Sequence, residues 1–261
     1  MFDSGFGGLT VARALIDLLP AEHLVYVGDT GRYPYGPRAL EEVRAFALQI
    51  TRRLVDEHGV KLVIVACNTA AAAGLAELRA AVDVPVVGVI EPGVRSLAQA
   101  THTGRAGVIG TVGTVSSGAY QRAVAELAPR LELTCAACPG FVEFVERGET
   151  RSDQVTILAE RLLAPLREAK VDALLLGCTH YPFLARTLSD VMGRDVVLVS
   201  SADETAFEVR RLLEGTDLAR PASAGPGHRR WLSSGDVASF RELGRRLLGP
   251  ELDEAGPITW D

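Results

Sequence analysis

Two segments of this chain follow one plan, and together they restrict the fold more than any other feature. Lys61–Asn68 is KLVIVACN and runs on into Thr69, while Asp172–Thr179 is DALLLGCT and runs on into His180. Each is an apolar run of buried-strand length that ends in a small residue, a cysteine and then polar groups. In an open α/β sheet the reactive end of a parallel strand is its carboxyl end, where the next helix begins. A thiol placed there meets free backbone N–H groups and the positive end of a helix dipole, which favour thiolate. One such cysteine suggests a nucleophile. Two, on similar strands in separate halves of the chain, suggest thiols facing one substrate from opposite sides, as needed to move a proton from one face of a carbon to the other.

The rest of the chain alternates strand and helix in the same way. Leu9–Leu19 has a helical period and stops at Pro20, and Leu24–Gly28 is a strand. After the turn-rich loop Asp29–Pro37, Pro37 suits the first turn of a helix running to about His58, with Gly59 as its stop. Helix Ala70–Val82 and strand Val84–Val89 follow the first cysteine. The pattern then restarts with a helix to about Thr101, strand Arg105–Gly110, helix Ser117–Ala128 and strand Leu131–Cys135. Helix Ser152–Ala169 leads to the second cysteine strand, followed by helix Phe183–Met192, strand Val196–Val199 and helix Asp203–Leu213. Thr216–Gly227 is a linker, and the tail alternates short strand and helix. This order predicts an α/β protein of two similar parallel-sheet domains with the active site in the cleft between them. The C-terminal segment is expected to return to the first domain, which periodicity alone does not show, so that residues 1–92 and 204–261 form the first domain, with Cys67, and 93–203 the second, with Cys178.

Bulk properties exclude several classes. The chain has 261 residues, enough for two cores, and is 48% hydrophobic and 23% charged, as expected of a soluble globular protein. No apolar run approaches the roughly 18 residues of a membrane span, and no secretory signal is visible. A net charge of −6 without a dense Lys/Arg run argues against nucleic acid as a partner. An anionic substrate would have to find its positive potential at helix N-termini. Only Lys61 and Lys170 are lysines, each just before a strand, at the end away from the expected active face. A Schiff-base lysine for pyridoxal phosphate is hard to place there, which points to cofactor-free chemistry.

Candidate site residues must be weighed against plainer roles. A strand-end cysteine often only fills space, but two in matching contexts favour function. His180 is close enough to Cys178 to serve as its proton partner. The turn Asp3–Gly8 (DSGFGG) opens a helix, yet it is neither GxGxxG nor GxxxxGK; it suits a carboxylate as well as a phosphate, or is a tight connection only. Pro34-Tyr35-Gly36 holds a tyrosine out for contact or is an ordinary turn. Thr111 and Thr114 offer hydroxyls to a ligand or cap a helix. Cys135 and Cys138 form a CxxC, but no second CxxC or HxxxH supplies zinc ligands, and Pro139 follows where a redox motif would open a helix. Structural thiols are the better reading of that pair. Glu143 and Glu146 lie three apart on a short helical stretch whose plainest role is solvated surface.

Taken together, FDSGFGGLTV (Phe2–Val11), GDT with PYG (Gly28–Gly36), VACNTA (Val65–Ala70), PVVGVIEPG (Pro85–Gly93), GVIGTVGTV (Gly107–Val115) and LGCTHYP (Leu176–Pro182) resemble the glutamate racemases of the cofactor-independent aspartate/glutamate racemase superfamily. The match runs nearly the length of the chain. It implies two similar α/β domains, glutamate as substrate, no cofactor and no metal, a homodimer in the cytoplasm, and supply of D-glutamate for peptidoglycan. By this resemblance Cys67 and Cys178 are the acid/base thiols, Cys67 taking the α-proton of D-glutamate and Cys178 reprotonating the opposite face. Asp3 is then the partner of Cys67 and His180 that of Cys178. Cys138–Gly148 matches the frame CPxxVxxVExG and makes Glu146 the counterpart of a family glutamate. Ser4, Tyr35, Gly36, Asn68, Thr69 and Thr179 match positions that hold substrate, with Asp3, His180, Thr111 and Thr114 added to that set. Only Met1 and Phe2 precede Asp3, where family members carry a full strand; either the sequence starts late or the first strand is nearly absent. Racemisation of another amino acid, a catalytically dead binding module and a thiol-redox enzyme are the competing readings.

Overall fold

The computed structural model describes residues 1–260. Its strands are β1 (Phe2–Asp3), β2 (Leu24–Gly28), β3 (Val63–Val65), β4 (Val86–Gly88), β5 (Arg105–Gly110), β6 (Glu132–Ala137), β7 (Ala173–Gly177), β8 (Val197–Val199), β9 (Arg229–Ser233) and β10 (Gly256–Pro257). One sheet has the order β10-β9-β2-β1-β3-β4 and the other β6-β5-β7-β8. Every ladder is parallel. Residues 229–233 and 256–257 therefore share a sheet with β1 to β4, and β9 runs beside β2 with Tyr26 opposite Trp231.

Both cysteine strands are buried along their whole length, because successive side chains enter different cores. Val63 and Val65 of β3, with Ala173 and Leu175 of β7, belong to one apolar core that runs between the sheets. Ile64 faces a second core with Leu9 and Trp231, and Leu174 and Leu176 face a third with Phe141 and Leu188. Helices cover these faces with apolar stripes. Leu40–His58, for example, buries Val43, Ala47, Ile50 and Leu54 at helical spacing and stops at Gly59, whose φ of 58° suits the left-handed cap.

The central strand β1 has only two residues, yet it is tied on both sides. Val27 N–H donates to Met1 O (3.0 Å), Asp29 N–H to Asp3 O (2.9 Å) and Ala66 N–H to Phe2 O (2.9 Å). Phe2 is fully buried, which is worth about 1.5–3 kcal/mol for such a side chain. These contacts fix Asp3 level with Gly28 at the carboxyl edge of the sheet. In the second sheet Gly110 is level with both Ala137 and Gly177. The residues that follow, Thr111, Cys138 and Cys178, thus emerge together.

Several element boundaries differ from the sequence expectation. The helix expected from Ser117 begins as Val112–Ser116, breaks at Gly118 (φ 68°) and resumes as Ala119–Leu127. Ser152–Ala169 is two helices, Asp153–Leu162 and Ala164–Glu168, because Pro165 lacks the N–H that would continue the first. The helix expected from Phe183 is a 3-10 turn, Tyr181–Leu184, and then an α-helix, Ala185–Met192. Pro37 precedes its helix, which starts at Leu40, because the chain there is held in a turn by Arg38 N–H on Tyr35 O (3.1 Å). Strand β6 extends two residues past Cys135, which carries Cys138 to the sheet edge.

Candidate active site

The carboxyl edges of the two sheets enclose a cavity of about 100 Å³ lined by residues of both. Cys67 follows β3 and precedes helix Asn68–Ala80, and Cys178 follows β7. Both thiols line this cavity and are buried, with 5% and 7% exposure. Ser4, Tyr35, Gly36, Asn68, Thr69, Thr111, Thr179 and His180 line it as well. No Lys or Arg among the described residues does, so hydrogen-bond donors supply the positive potential available to an anion.

Burial dominates the thiols' acidity. It pushes Cys67 up to about 12; the Asp3 charge adds to this, while N–H groups of Ala70 and Ser4 and the Ser4 hydroxyl pull the other way. Cys178 is likewise pushed well above its ordinary value, first by burial and then by the charges of Cys67 and Asp3, against N–H groups of His180 and Tyr181. The donors expected at the strand ends are present and act in the expected direction, but desolvation outweighs them. Cys67 Sγ lies 3.7 Å from Ser4 Oγ, to which it donates.

Asp3 is fully buried behind the cavity wall and is not among the lining residues. Its Oδ2 accepts N–H groups of Gly5 and Gly8 (3.1 Å each), and its Oδ1 accepts the Thr179 hydroxyl (3.4 Å). The glycine-rich turn thus spends two of its N–H groups on the chain's own carboxylate, unlike a phosphate loop. The absence of a side chain at Gly7 has another use. A Cβ there would lie 2.5 Å from Thr179 Oγ1 and 2.7 Å from His180 Nδ1, so glycine is what lets the two strand ends approach. His180 is buried, with Nδ1 3.5 Å from Thr179 Oγ1, its ring edge-on to Phe6 (4.9 Å) and Nε2 without a hydrogen-bond partner among the described residues. Burial lowers its pKa, offset in part by the charges of Asp3 and Glu143. The imidazole is therefore neutral at pH 7, able to accept a proton at one nitrogen while donating at the other.

The polar wall crosses from one sheet to the other. Thr69 Oγ1 lies 3.0 Å from Thr111 Oγ1 and 3.2 Å from Thr114 Oγ1, and Thr111 donates to Thr114 (3.0 Å). Thr114 is fully buried behind this pair and is not among the lining residues. Tyr120 donates to Asn68 Oδ1 (2.6 Å), which leaves the Asn68 amide N–H groups as donors. Gly36 O accepts Gly113 N–H (3.0 Å) across the cleft.

Glu146 is exposed and does not line the cavity; Glu143, three residues earlier on helix Phe141–Glu146, does. The Glu146 carboxyl is held above its ordinary value by partial desolvation and by Glu143, with Tyr33 pulling it down. Sequence reasoning left out Tyr33, Val112, Cys138, Val142 and Glu143, all of which line the site. For Cys138 a signal existed. It follows directly on a strand as Cys178 does, but the expected end of that strand at Cys135 lies two residues short of the observed end at Ala137.

Comparison with known proteins gives one consistent result. Residues 8–208 match the family model described as Asp/Glu/Hydantoin racemase. The chain is 54% identical over 252 residues to a glutamate racemase of Acidothermus cellulolyticus, covering 97% of this chain and 95% of that one. It is similar to the crystal structure of a glutamate racemase isoform from Bacillus anthracis, with a TM-score of 0.91, 40% identity and coverage of 100% and 96% of the two chains. The glutamate racemase from Francisella tularensis in complex with D-glutamate also matches with a TM-score of 0.91, at 30% identity and the same coverage.

Proposed function

The chain belongs to the Asp/Glu/Hydantoin racemase family, and we infer that it is a glutamate racemase whose two thiols pass a proton across the α-carbon. The observation that carries the thiol mechanism is the placement of Cys67 and Cys178, one at the end of a strand in each sheet, on one shared cavity. Cys67 takes the α-proton of D-glutamate as a thiolate, and Cys178 delivers a proton to the opposite face. From L-glutamate the roles reverse. Asp3 serves Cys67 and His180 serves Cys178, while Ser4, Asn68, Thr69, Thr179 and the Tyr35–Gly36 segment hold the substrate. The α-carbon is a far weaker acid than a thiol, so a thiol raised to about 12 by burial narrows the gap. The substrate ammonium supplies the cationic group that the cavity walls lack, and fixed N–H and O–H donors meet the charge developing on its carboxylate. No helix among the described residues is long and apolar enough to cross a membrane. The enzyme works as a homodimer in the cytoplasm, supplying D-glutamate for peptidoglycan. Incubation with D- or L-glutamate in D₂O, following optical rotation and α-deuteration, tests the reaction. Loss of rotation with one deuterium gained at the inverted centre is the expected result.

Raised thiol pKa values set the sign of the pH dependence. Below such a pKa the thiolate fraction grows tenfold per pH unit. In both directions log kcat/KM should therefore rise with pH with a slope of about +1 between roughly pH 6 and 8.5. A flat profile there would show that the N–H donors, not burial, govern the base.

Activity should also survive chelators and develop no pyridoxal absorbance. Lys61 is paired with Glu22 (2.7 Å), and neither Lys61 nor Lys170 lines the cavity. No group of three or more His, Cys, Asp or Glu among the described residues is placed to hold a metal ion. A requirement for added metal or pyridoxal phosphate in the purified enzyme would overturn this expectation.

A further inference from the structure

Asp29 lies outside the cavity, directly behind Tyr35, and is fully buried. Its Oδ2 accepts Arg32 Nε–H (2.7 Å) and the Tyr35 hydroxyl; its Oδ1 accepts the Ser234 hydroxyl (2.6 Å) and Trp260 Nε1–H (2.7 Å). Two donors on each oxygen fill the roughly four acceptor sites of a carboxylate. The Arg32 guanidinium that balances the charge lies between the rings of Phe46 (4.2 Å) and Trp260 (4.5 Å) and donates to Gln49 Oε1 (2.7 Å). The same loop is tied again to the chain after β9. Thr30 Oγ1 lies 2.7 Å from Ser233 Oγ and accepts Gly235 N–H (2.9 Å), and Gly31 N–H donates to Ser234 Oγ (3.0 Å).

We propose that Asp29 is a positioning residue through which Ser234 and Trp260, distant in sequence, set the place of the Tyr35–Gly36 segment in the substrate cavity. The reasoning rests on the glutamate racemase reading above. Tyr35 lines the cavity and reaches Asp29 with its hydroxyl, while Gly36 is held from the opposite side by Gly113 N–H. The loop is thus fixed between two anchors, and only the Asp29 side depends on residues beyond 230. None of the four donors is an acid or base in the reaction. Loosening them should weaken substrate and transition state alike, which raises KM and leaves kcat in place.

The test compares Asp29→Asn, Ser234→Ala and Trp260→Phe with wild type, measuring KM, kcat, the α-deuterium isotope effect and Tm with both glutamate enantiomers. Trp260→Phe retains an aromatic ring next to Arg32 and removes the N–H donor along with the smaller ring of the indole. Asp29→Asn turns an NH₂ group toward two donors and should have the larger effect. Expected are KM increases of about 3–10-fold for Trp260→Phe and Ser234→Ala, and more than about tenfold for Asp29→Asn, with kcat and the isotope effect unchanged. Ser152→Ala, which removes the cap of the distant helix Asp153–Leu162, should lower Tm without moving KM. Should Asp29→Asn fail to fold, Trp260→Phe and Ser234→Ala decide. An unchanged KM in these folded variants, or a kcat that falls with a changed isotope effect, overturns the proposal. Wild-type enzyme that does not racemise glutamate would instead overturn the functional reading itself.

Discussion

Replacing Cys67 or Cys178 by serine is expected to lower racemisation of glutamate by on the order of 10³-fold or more in either direction, with the fold intact. A hydroxyl fills nearly the volume of the thiol but is a far weaker acid, so each variant keeps its cavity and loses one of its two proton-transfer groups. Neither remaining thiol can do both tasks, since each emerges from a different sheet into the same cavity. The Cys67→Ser/Cys178→Ser double variant should therefore be scarcely worse than either single one, as is usual for groups that act as a unit. Cys135→Ser should retain full activity. Cys138→Ser is the sharper control, because Cys138 lines the same cavity and its thiol is also pushed up by burial, to about 12. It should remain within about tenfold of wild type, the scale of a packing change and not of a lost acid or base. Racemisation can be followed by circular dichroism at saturating glutamate. Activity above about one hundredth of wild type in Cys67→Ser or Cys178→Ser would remove the two-thiol mechanism.

What the sequence made legible, it made legible through period and punctuation. Val63–Val65 and Ala173–Gly177 are short, wholly apolar and followed by polar residues, so their burial and the direction of their cysteines could be read directly. Gly59 marked the end of its helix for a local steric reason. The misplaced boundaries share a different cause, because they depend on contacts made elsewhere. The early turn Val112–Ser116 exists where the Thr111 hydroxyl caps it and Gly113 meets Gly36 across the cleft. Such a contact leaves no local period. Glu146 shows the limit of a matched motif: the frame aligns it, but the helix it ends turns Glu143 to the cavity instead. Asp29 shows the limit from the other side. Nothing near it in sequence announces that Ser234 and Trp260 will supply half of its donors.

Asp3→Asn and His180→Asn should each lower kcat by roughly 10²-fold, and they should do so unequally at the two proton steps. After burial, the Asp3 charge is the largest influence on Cys67, whereas on Cys178 it follows the His180 N–H and the Cys67 charge. Asp3 also ties down the turn that carries Ser4, the hydrogen-bond partner of Cys67. His180, in the buried wall on the Cys178 side, holds an Nε2 without a hydrogen-bond partner among the described residues. Asp3→Asn should loosen the turn that places Ser4 against Cys67 and so make transfer at Cys67 more rate-limiting, even though loss of the charge eases thiolate formation there, and removing the imidazole should make transfer at Cys178 more rate-limiting. The equilibrium constant cannot change, because the enantiomers have equal free energy in water, so any asymmetry must appear in the individual steps. Competitive isotope effects with D- and L-[2-²H]glutamate separate them. Asp3→Asn should enlarge the effect from D-glutamate, whose proton Cys67 removes, and His180→Asn the effect from L-glutamate. The same pattern in both variants would show that the carboxylate and the imidazole serve the thiols jointly, as the Thr179 hydroxyl bridging Asp3 and the neighbourhood of His180 would allow.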